Sequence, residues 1–109
     1  MITAWLGAFA FTQAVEAPIY ARALRARPRR WLWALGASAL THPIVFFGVP
    51  RVWPGGYWSG VAVAEAFAVA AEAVYLTALG VPLSLAWALL ANAASAGLGL
   101  LSRAAFGWP

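Results

Sequence analysis

The three carboxylate side chains of the 109-residue sequence all lie inside apolar stretches. Glu16 falls in a stretch that begins at Ile2, and Glu65 and Glu72 interrupt the run from Val61 to Leu79. An ionised carboxylate at the centre of a membrane helix costs about 2.5–3.5 kcal/mol, so such residues are rare and mark ion or proton pathways. We therefore predict that Glu16, Glu65 and Glu72 form a proton- or cation-binding site.

Other polar side chains fall at similar depths in the remaining apolar stretches. Five of them are expected to support the carboxylates: Gln13, Thr41, His42, Asn92 and Ser95. Glu65 and Glu72 are about 10 Å apart along a helix axis, so they cannot pair with each other. Matching depths along the helices instead predicts two groups. These are Glu65 with His42 and Asn92, and Glu72 with Glu16 and either Tyr20 or Tyr75.

Catalysis by the same residues is an alternative. His42 with Glu65 or Glu72 could serve an intramembrane enzyme, for example a metal-assisted hydrolase, because imidazole and carboxylate also bind divalent metals. The sequence has no Glu-x-x-His pair and no His-Glu-x-x-His motif. It also has no Cys, which excludes thiolate metal sites and thiol catalysis. We expect no metal and no other cofactor, and we favour transport over catalysis.

Membrane-spanning helices are the elements that must position these residues. The chain is 64% hydrophobic and 9% charged, whereas soluble domains are about 25% charged. Four apolar stretches approach the roughly 20 residues that cross a bilayer core, and the connecting loops are too short for a second domain. We predict an all-α four-helix transmembrane bundle, a single domain over residues 1–109, with helices at about 2–21, 31–49, 58–79 and 83–101. No repeat with a period of about 20–50 residues is visible.

Five of the seven Arg lie in one short segment, 22–30, between the first two helices. Cytoplasmic loops of membrane proteins carry an excess of positive charge, so this loop is predicted to be cytoplasmic and both termini outside. Topology accounts for the Arg cluster, and we expect no nucleic-acid partner. The abundance of Ala, Arg, Gly, Pro and Trp suggests a GC-rich bacterial genome. We therefore predict a multi-pass protein of the bacterial cytoplasmic (inner) membrane.

The triplet Thr41-His42-Pro43 lies within the second predicted helix. Proline lacks a backbone N–H and so interrupts the hydrogen bonds of a helix. The triplet predicts an imidazole at a helix irregularity near the middle of the membrane.

Two short stretches resemble a known family. Trp58 to Val61 (WSGV) and Leu100 to Arg103 (LLSR) look like stretches of the small multidrug resistance transporters, which are four-helix membrane proteins of about this length. The resemblance implies that Glu16 binds a proton and a cationic substrate in turn, with Trp58 as an aromatic contact. The chain departs from that family in its Thr-His-Pro triplet, in a proline two residues after Glu16 and in the two Glu of the third helix.

The function predicted from the sequence is a proton- or cation-coupled transporter, or the membrane subunit of one. Besides the enzyme, a structural subunit or assembly factor of a larger membrane complex stays open. In that alternative, the polar layer joins helices through hydrogen bonds. The expected partners are the lipid bilayer and either further copies of the chain or a larger membrane complex, because four short helices enclose a pathway poorly.

Overall fold

The computed structural model describes residues 2–109, and within them the regular structure is entirely helical. Helix α1 is long, and helix α2 continues through a π-helical turn into the short helix α3. Helices α4 and α5 are again long. The bounds are Ile2–Ala23 for α1, Arg30–Pro43 for α2, Ile44–Gly48 for the π-helical turn, Val49–Val52 for α3, Tyr57–Ala78 for α4 and Ser84–Phe106 for α5.

Three helical stretches are long and apolar enough to cross a membrane: Arg30–Val52, Tyr57–Ala78 and Ser84–Phe106. The protein is therefore a small, multi-pass, membrane-type helical protein. Helix α1 is also 22 residues long, but Gln13, Glu16 and Pro18 make it less apolar than the other three. That α1 is a fourth span, that both termini lie outside, and that the chain is a single domain stay predictions.

The helix ends differ from the predicted bounds at two places. The second helical stretch continues to Val52, with Pro50 in the first turn of α3. Helix α5 continues to Phe106, five residues beyond its predicted end, and stops at Gly107, whose φ of 70° a residue with a side chain rarely adopts. The predicted turn before α4 is therefore limited to residues 53–56.

The predicted irregularity after His42 is confirmed. Pro43 ends the regular α-helical hydrogen bonding of α2, and Ile44–Gly48 form a π-helical turn. The N–H of Val49 donates to the carbonyl of Ile44, five residues earlier, as π-helical geometry requires. Turns of this kind occur frequently at functional sites.

The turn after α4 follows a known helix-ending pattern. Gly80 has a φ of 80°, its N–H donates to Thr77 O at 2.9 Å, and Val81 N–H donates to Leu76 O at 3.0 Å. These are the two bonds of a Schellman motif, and the buried side chains of Val81 and Leu76 accompany it. The turn is therefore well defined and fixes where α5 begins.

An arginine connects the two loops at this end of the bundle. Arg27 Nη1 donates to Leu79 O at 3.2 Å, and the guanidinium lies 4.9 Å from the ring centroid of Trp33. The bond satisfies a carbonyl at the C-terminal end of α4, where positive charge is favoured. We call the end of the bundle that carries residues 24–29 and 79–83 the Arg end.

The long helices form a closed ring in which α1 contacts α2 and α5, and α4 contacts the same two helices. Gly36 of α2 leaves room for the hydroxyl of Tyr75 of α4, since a Cβ there would lie 2.7 Å from Tyr75 Oη. Most of the buried apolar residues lie between the carboxyl groups of Glu16 and Glu72 and the Arg end. They include Ala17, Tyr20, Ala21, Leu24, Ala34, Ala37, Leu76, Val81, Ala88 and Ala91.

Candidate functional site

Glu16 lies in the interior of the bundle, with 2% of its surface exposed. Its carboxylate accepts one hydrogen bond from Ser38 Oγ of α2, at 2.6 Å, and another from Ser95 Oγ of α5. Each oxygen of the carboxylate therefore has one hydroxyl donor, and the two donors come from the two helices that flank α1. The supporting role predicted for Ser95 is consistent with this contact.

Glu72 is equally buried, at 1% exposure, and it has one more donor. Thr41 Oγ1 donates to Oε2 at 2.6 Å, while Asn92 Nδ2, at 2.9 Å, and Tyr20 Oη both donate to Oε1. The Glu16 and Glu72 carboxyl groups also contact each other. Within residues 2–109, the side chains that donate hydrogen bonds to the two carboxyl groups are all uncharged.

A cavity of about 110 Å³ is lined by Glu16, Glu72 and all of their donors except Tyr20. The volume is enough for a few water molecules, and the polar lining would give such waters hydrogen-bond partners. On the side away from the Arg end the cavity is lined by half-buried residues: Thr12, His42, Val45, Glu65 and Ala96. On the other side lie the fully buried Tyr20 and Leu76. The polar site is thus sealed towards the Arg end and more open towards the opposite end.

Glu65 does not join this hydrogen-bond network. It is half-buried and lines three cavities, of about 110, 540 and 560 Å³. The lining of the second cavity includes three aromatic residues, Phe46, Trp53 and Tyr57. The expected grouping of Glu65 with His42 and Asn92 is wrong, because Asn92 binds Glu72. Glu65 instead stands between the buried carboxyl pair and the wider spaces outside it.

His42 is held by an aromatic cluster on α1. Trp5 Nε1 donates to His42 Nδ1 at 3.0 Å, and the ring centroid of Phe9 lies 5.4 Å from that of His42. Thr41, one residue earlier, points about 100° away around the helix, which is why it reaches Glu72 while its neighbour faces α1. His42 still lines the rim of the 110 Å³ cavity.

The direction of side chains on antiparallel helices explains the error in grouping. Side chains lean towards the N-terminus of their own helix. Helices α2 and α5 begin at the Arg end, so Thr41 and Asn92 lean towards it, whereas Glu72 on α4 leans away from it and meets them. Glu65, on the same helix, leans still farther from Asn92. Depths counted from Cα positions miss this convergence.

The remaining predicted partners lie outside the cavity. Gln13 Nε2 donates to Leu35 O at 2.8 Å and so joins α1 to α2. Tyr75 Oη donates to Trp33 O at 2.8 Å, and only Tyr20 of the two candidate tyrosines reaches Glu72. Ser38 was not among the predicted site residues. Its spacing of three from Thr41 repeats the spacing of Asn92 and Ser95, and that pattern was the available signal.

Ser38 and His42 of α2 are not arranged as a nucleophile–base pair. Ser38 lies one turn before His42, but its hydroxyl donates to Glu16. His42 accepts from Trp5 through Nδ1. Within residues 2–109, no three His, Cys, Asp or Glu side chains converge as metal ligands do.

No family model matches the sequence, and no curated protein or solved structure matches it either. The resemblance to the small multidrug resistance transporters gains nothing from the geometry at Trp58. That residue is 66% exposed, stacks edge-on against Tyr57 and does not line the cavity around Glu16. The function is therefore inferred from the site itself.

Proposed function

We propose that the chain is a proton- or cation-coupled membrane transporter, or the membrane subunit of one, in which Glu16 and Glu72 exchange the coupling ion. The observation that carries the proposal is the pair of contacting carboxyl groups in a cavity that is sealed at one end of the bundle. Two carboxyl groups in contact cannot both ionise readily, so at least one of them retains a proton or binds a cation. Ion exchange then follows from access to the cavity.

Access is from the end opposite the Arg loop. Under the positive-inside rule the Arg end is cytoplasmic, so the cavity would face the outside of a bacterial cytoplasmic membrane. Glu65 lies on the side of the cavity away from the Arg end, next to the wider spaces, and would attract cations towards the pair. His42, which also lines the cavity, adds a second titratable group along the same route.

The structural-subunit alternative has one observation in its favour. Both buried carboxyl groups are fully hydrogen-bonded to neighbouring helices, as residues that only hold a bundle together would be. Such a role needs the acceptor oxygens and the shape of the side chains. It does not need a proton that can leave. Replacement of Glu by Gln separates the two functions, because Gln keeps the shape and one acceptor oxygen but does not exchange a proton.

The test is proton flux into liposomes that contain the purified chain and a pH-sensitive dye. Under an imposed pH gradient we expect the wild type to carry protons and both Glu16→Gln and Glu72→Gln to reduce the flux to the level of empty liposomes. Ser59→Ala, which changes a hydroxyl bonded only to Trp53 and Gly56 outside the cavity, should leave the flux unchanged. Folded Gln variants with wild-type flux would reject the proposal and favour the structural subunit. If the chain functions only within a homo-oligomer or a larger complex, that assembly is the sample to be reconstituted into the liposomes.

A further inference from the structure

The two helical hairpins, α1–α2 and α4–α5, repeat each other around the site. Each contributes one buried Glu from its first helix and two donors, three residues apart, from its second. The buried faces of α2 and α5 also correspond position by position, with the same spacing. They are Ala34, Ala37, Ser38 and Thr41 in α2, and Ala88, Ala91, Asn92 and Ser95 in α5.

The hydrogen bonds cross between the hairpins in a symmetric way. Glu16 accepts from Ser38 of its own hairpin and from Ser95 of the other. Glu72 accepts from Asn92 of its own hairpin and from Thr41 of the other. In each case the first donor of the pair serves its own hairpin and the second serves the partner. The four bonds are therefore related by an approximate two-fold axis that passes between the two carboxyl groups.

Tyr20 breaks this symmetry. It lies one turn after Glu16 on α1 and donates to Glu72. The corresponding residue, one turn after Glu72 on α4, is Leu76, which is fully buried and has no polar atom in its side chain. Glu72 thus has three donors, and Glu16 has two.

The unequal donors assign different roles to two otherwise equivalent groups. Hydrogen bonds donated to a carboxylate favour its ionised form, and of two contacting carboxyl groups the one with more donors ionises first. We infer that Glu72 is the ionised member of the pair, that Glu16 binds and releases the proton, and that Tyr20 is the positioning residue that sets this order. The inference deepens the proposed function and rests on it.

The donors around Glu16 suit a group that changes its protonation. Ser95 Oγ also lies 3.2 Å from Asn92 O of its own helix, so its proton can turn to that carbonyl when Glu16 becomes protonated and donates instead. Thr41 Oγ1 has a longer contact of the same kind, 3.4 Å from Ser38 O, so Tyr20 is the donor that distinguishes the two sites. Among the described residues, Tyr20 Oη has Glu72 as its only recorded acceptor, so its proton stays directed at Glu72. The other titratable groups facing Glu16 are Glu65 and His42 on the cavity wall, and no Arg lines that cavity.

The composition of the chain allows a direct test. Its only side-chain carboxyl groups are the three Glu, so protein labelled with ¹³C at the Glu carboxyl carbon gives three side-chain signals. Each signal reports the protonation of one residue. Single Glu→Gln substitutions assign them, and if Glu16→Gln fails to fold, the other two assign Glu16 by elimination.

At neutral pH we expect the Glu16 signal at the protonated position and the Glu72 signal at the ionised position. Tyr20→Phe, which removes the third donor and keeps the ring, should move the Glu72 signal towards the protonated position and the Glu16 signal in the opposite direction. Tyr75→Phe is the matched control, since Tyr75 donates to Trp33 O outside the cavity, and it should move neither.

Reversed positions for Glu16 and Glu72 in the wild type, or signals that Tyr20→Phe leaves in place, would overturn the assignment. The spectra are recorded without a pH gradient, which keeps this test separate from transport. Proton flux without the expected signals rejects the assigned roles alone, and the expected signals without flux reject the proposed function alone.

Discussion

Thr41→Val should destabilise the bundle more than the small change in side-chain shape suggests, because within residues 2–109 Thr41 is the sole recorded donor to Glu72 Oε2. Valine has nearly the shape of threonine, so the substitution removes a hydroxyl without opening a cavity. An interhelical hydrogen bond in a membrane protein contributes about 0.6 kcal/mol on average and about 1.7 kcal/mol at most. A buried acceptor left without a partner costs about 1–3 kcal/mol. We therefore expect a loss of about 1–2 kcal/mol in the free energy of unfolding.

Thr77→Val is the control for this change. Thr77 lies in the last turn of α4, where its hydroxyl bonds to Ala73 O of its own helix at 2.8 Å and to Ser84 Oγ, both at an exposed position. This substitution also replaces threonine with valine, but no buried carboxylate loses a donor. We therefore expect the free energy of unfolding to change by no more than about 0.5 kcal/mol.

Reversible unfolding in mixed micelles, followed by circular dichroism as the denaturing detergent is increased, measures both values. The two variants should keep the helical content of the wild type before unfolding. Equal losses for Thr41→Val and Thr77→Val would refute the reasoning, since they would show that the Thr41 bond to Glu72 contributes nothing beyond an exposed hydroxyl. A loss well above about 3 kcal/mol would also refute it, because one orphaned acceptor does not account for so much.

Two further predictions follow from backbone contacts and topology. Gly36→Ala places a Cβ 2.7 Å from Tyr75 Oη, whereas Gly97→Ala meets nothing within 4 Å, and both gain the helix propensity of alanine. Gly36→Ala should therefore disturb the Tyr75 bond to Trp33 O and unfold about 1 kcal/mol more easily than Gly97→Ala, and equal stability would contradict the tight contact between Gly36 and Tyr75 Oη. Because the chain has no Cys, single cysteines report sidedness: a membrane-impermeant maleimide added to intact cells should label Gly56→Cys and leave Ala26→Cys unlabelled. The opposite labelling would show that the Arg end is outside.

Glu16 and Glu72 could be predicted as candidate site residues because a carboxyl group inside a membrane-length apolar stretch is costly and therefore rare. Glu16 and Glu72 stood out on composition alone, and they are the two most deeply buried polar groups after Ser38. Their partners were harder to predict, because helix counting gives the depth of a Cα and says nothing of the direction in which a side chain leans. The lean of the side chains brings the Glu72 carboxyl group to the depth of Asn92, although their Cα atoms differ in depth by about one helical turn. The same lean moves the Glu65 carboxyl group farther from Asn92.

The internal repeat is visible in the sequence, but its period lies outside the roughly 20–50 residues of common repeat architectures. Trp33-Ala34-Leu35 of α2 recurs 54 residues later as Trp87-Ala88-Leu89 of α5, and Glu16-Ala17 of α1 recurs 56 residues later as Glu72-Ala73 of α4. The hydrogen-bond donors are replaced by other polar residues, Ser38 by Asn92 and Thr41 by Ser95. A search for one carboxylate followed by two donors three residues apart would find both halves.

The way in which the Arg end is closed bears on the proposed transport. For an ion to pass through, the contacts between the site and the Arg end must open, and six of the residues buried there are Ala. Alanine side chains bury little surface, so their separation costs far less than that of a core of large aliphatic residues. The larger obstacles are Tyr20 and Leu76 beside the site and the Arg27 bond to Leu79 O at the surface. Because Tyr20 is also bonded to Glu72, a movement of Tyr20 that opened this end would remove the third donor from Glu72 and make the two carboxyl groups more alike. In the proposed transporter, opening of the Arg end and redistribution of the proton would thus be coupled through one side chain.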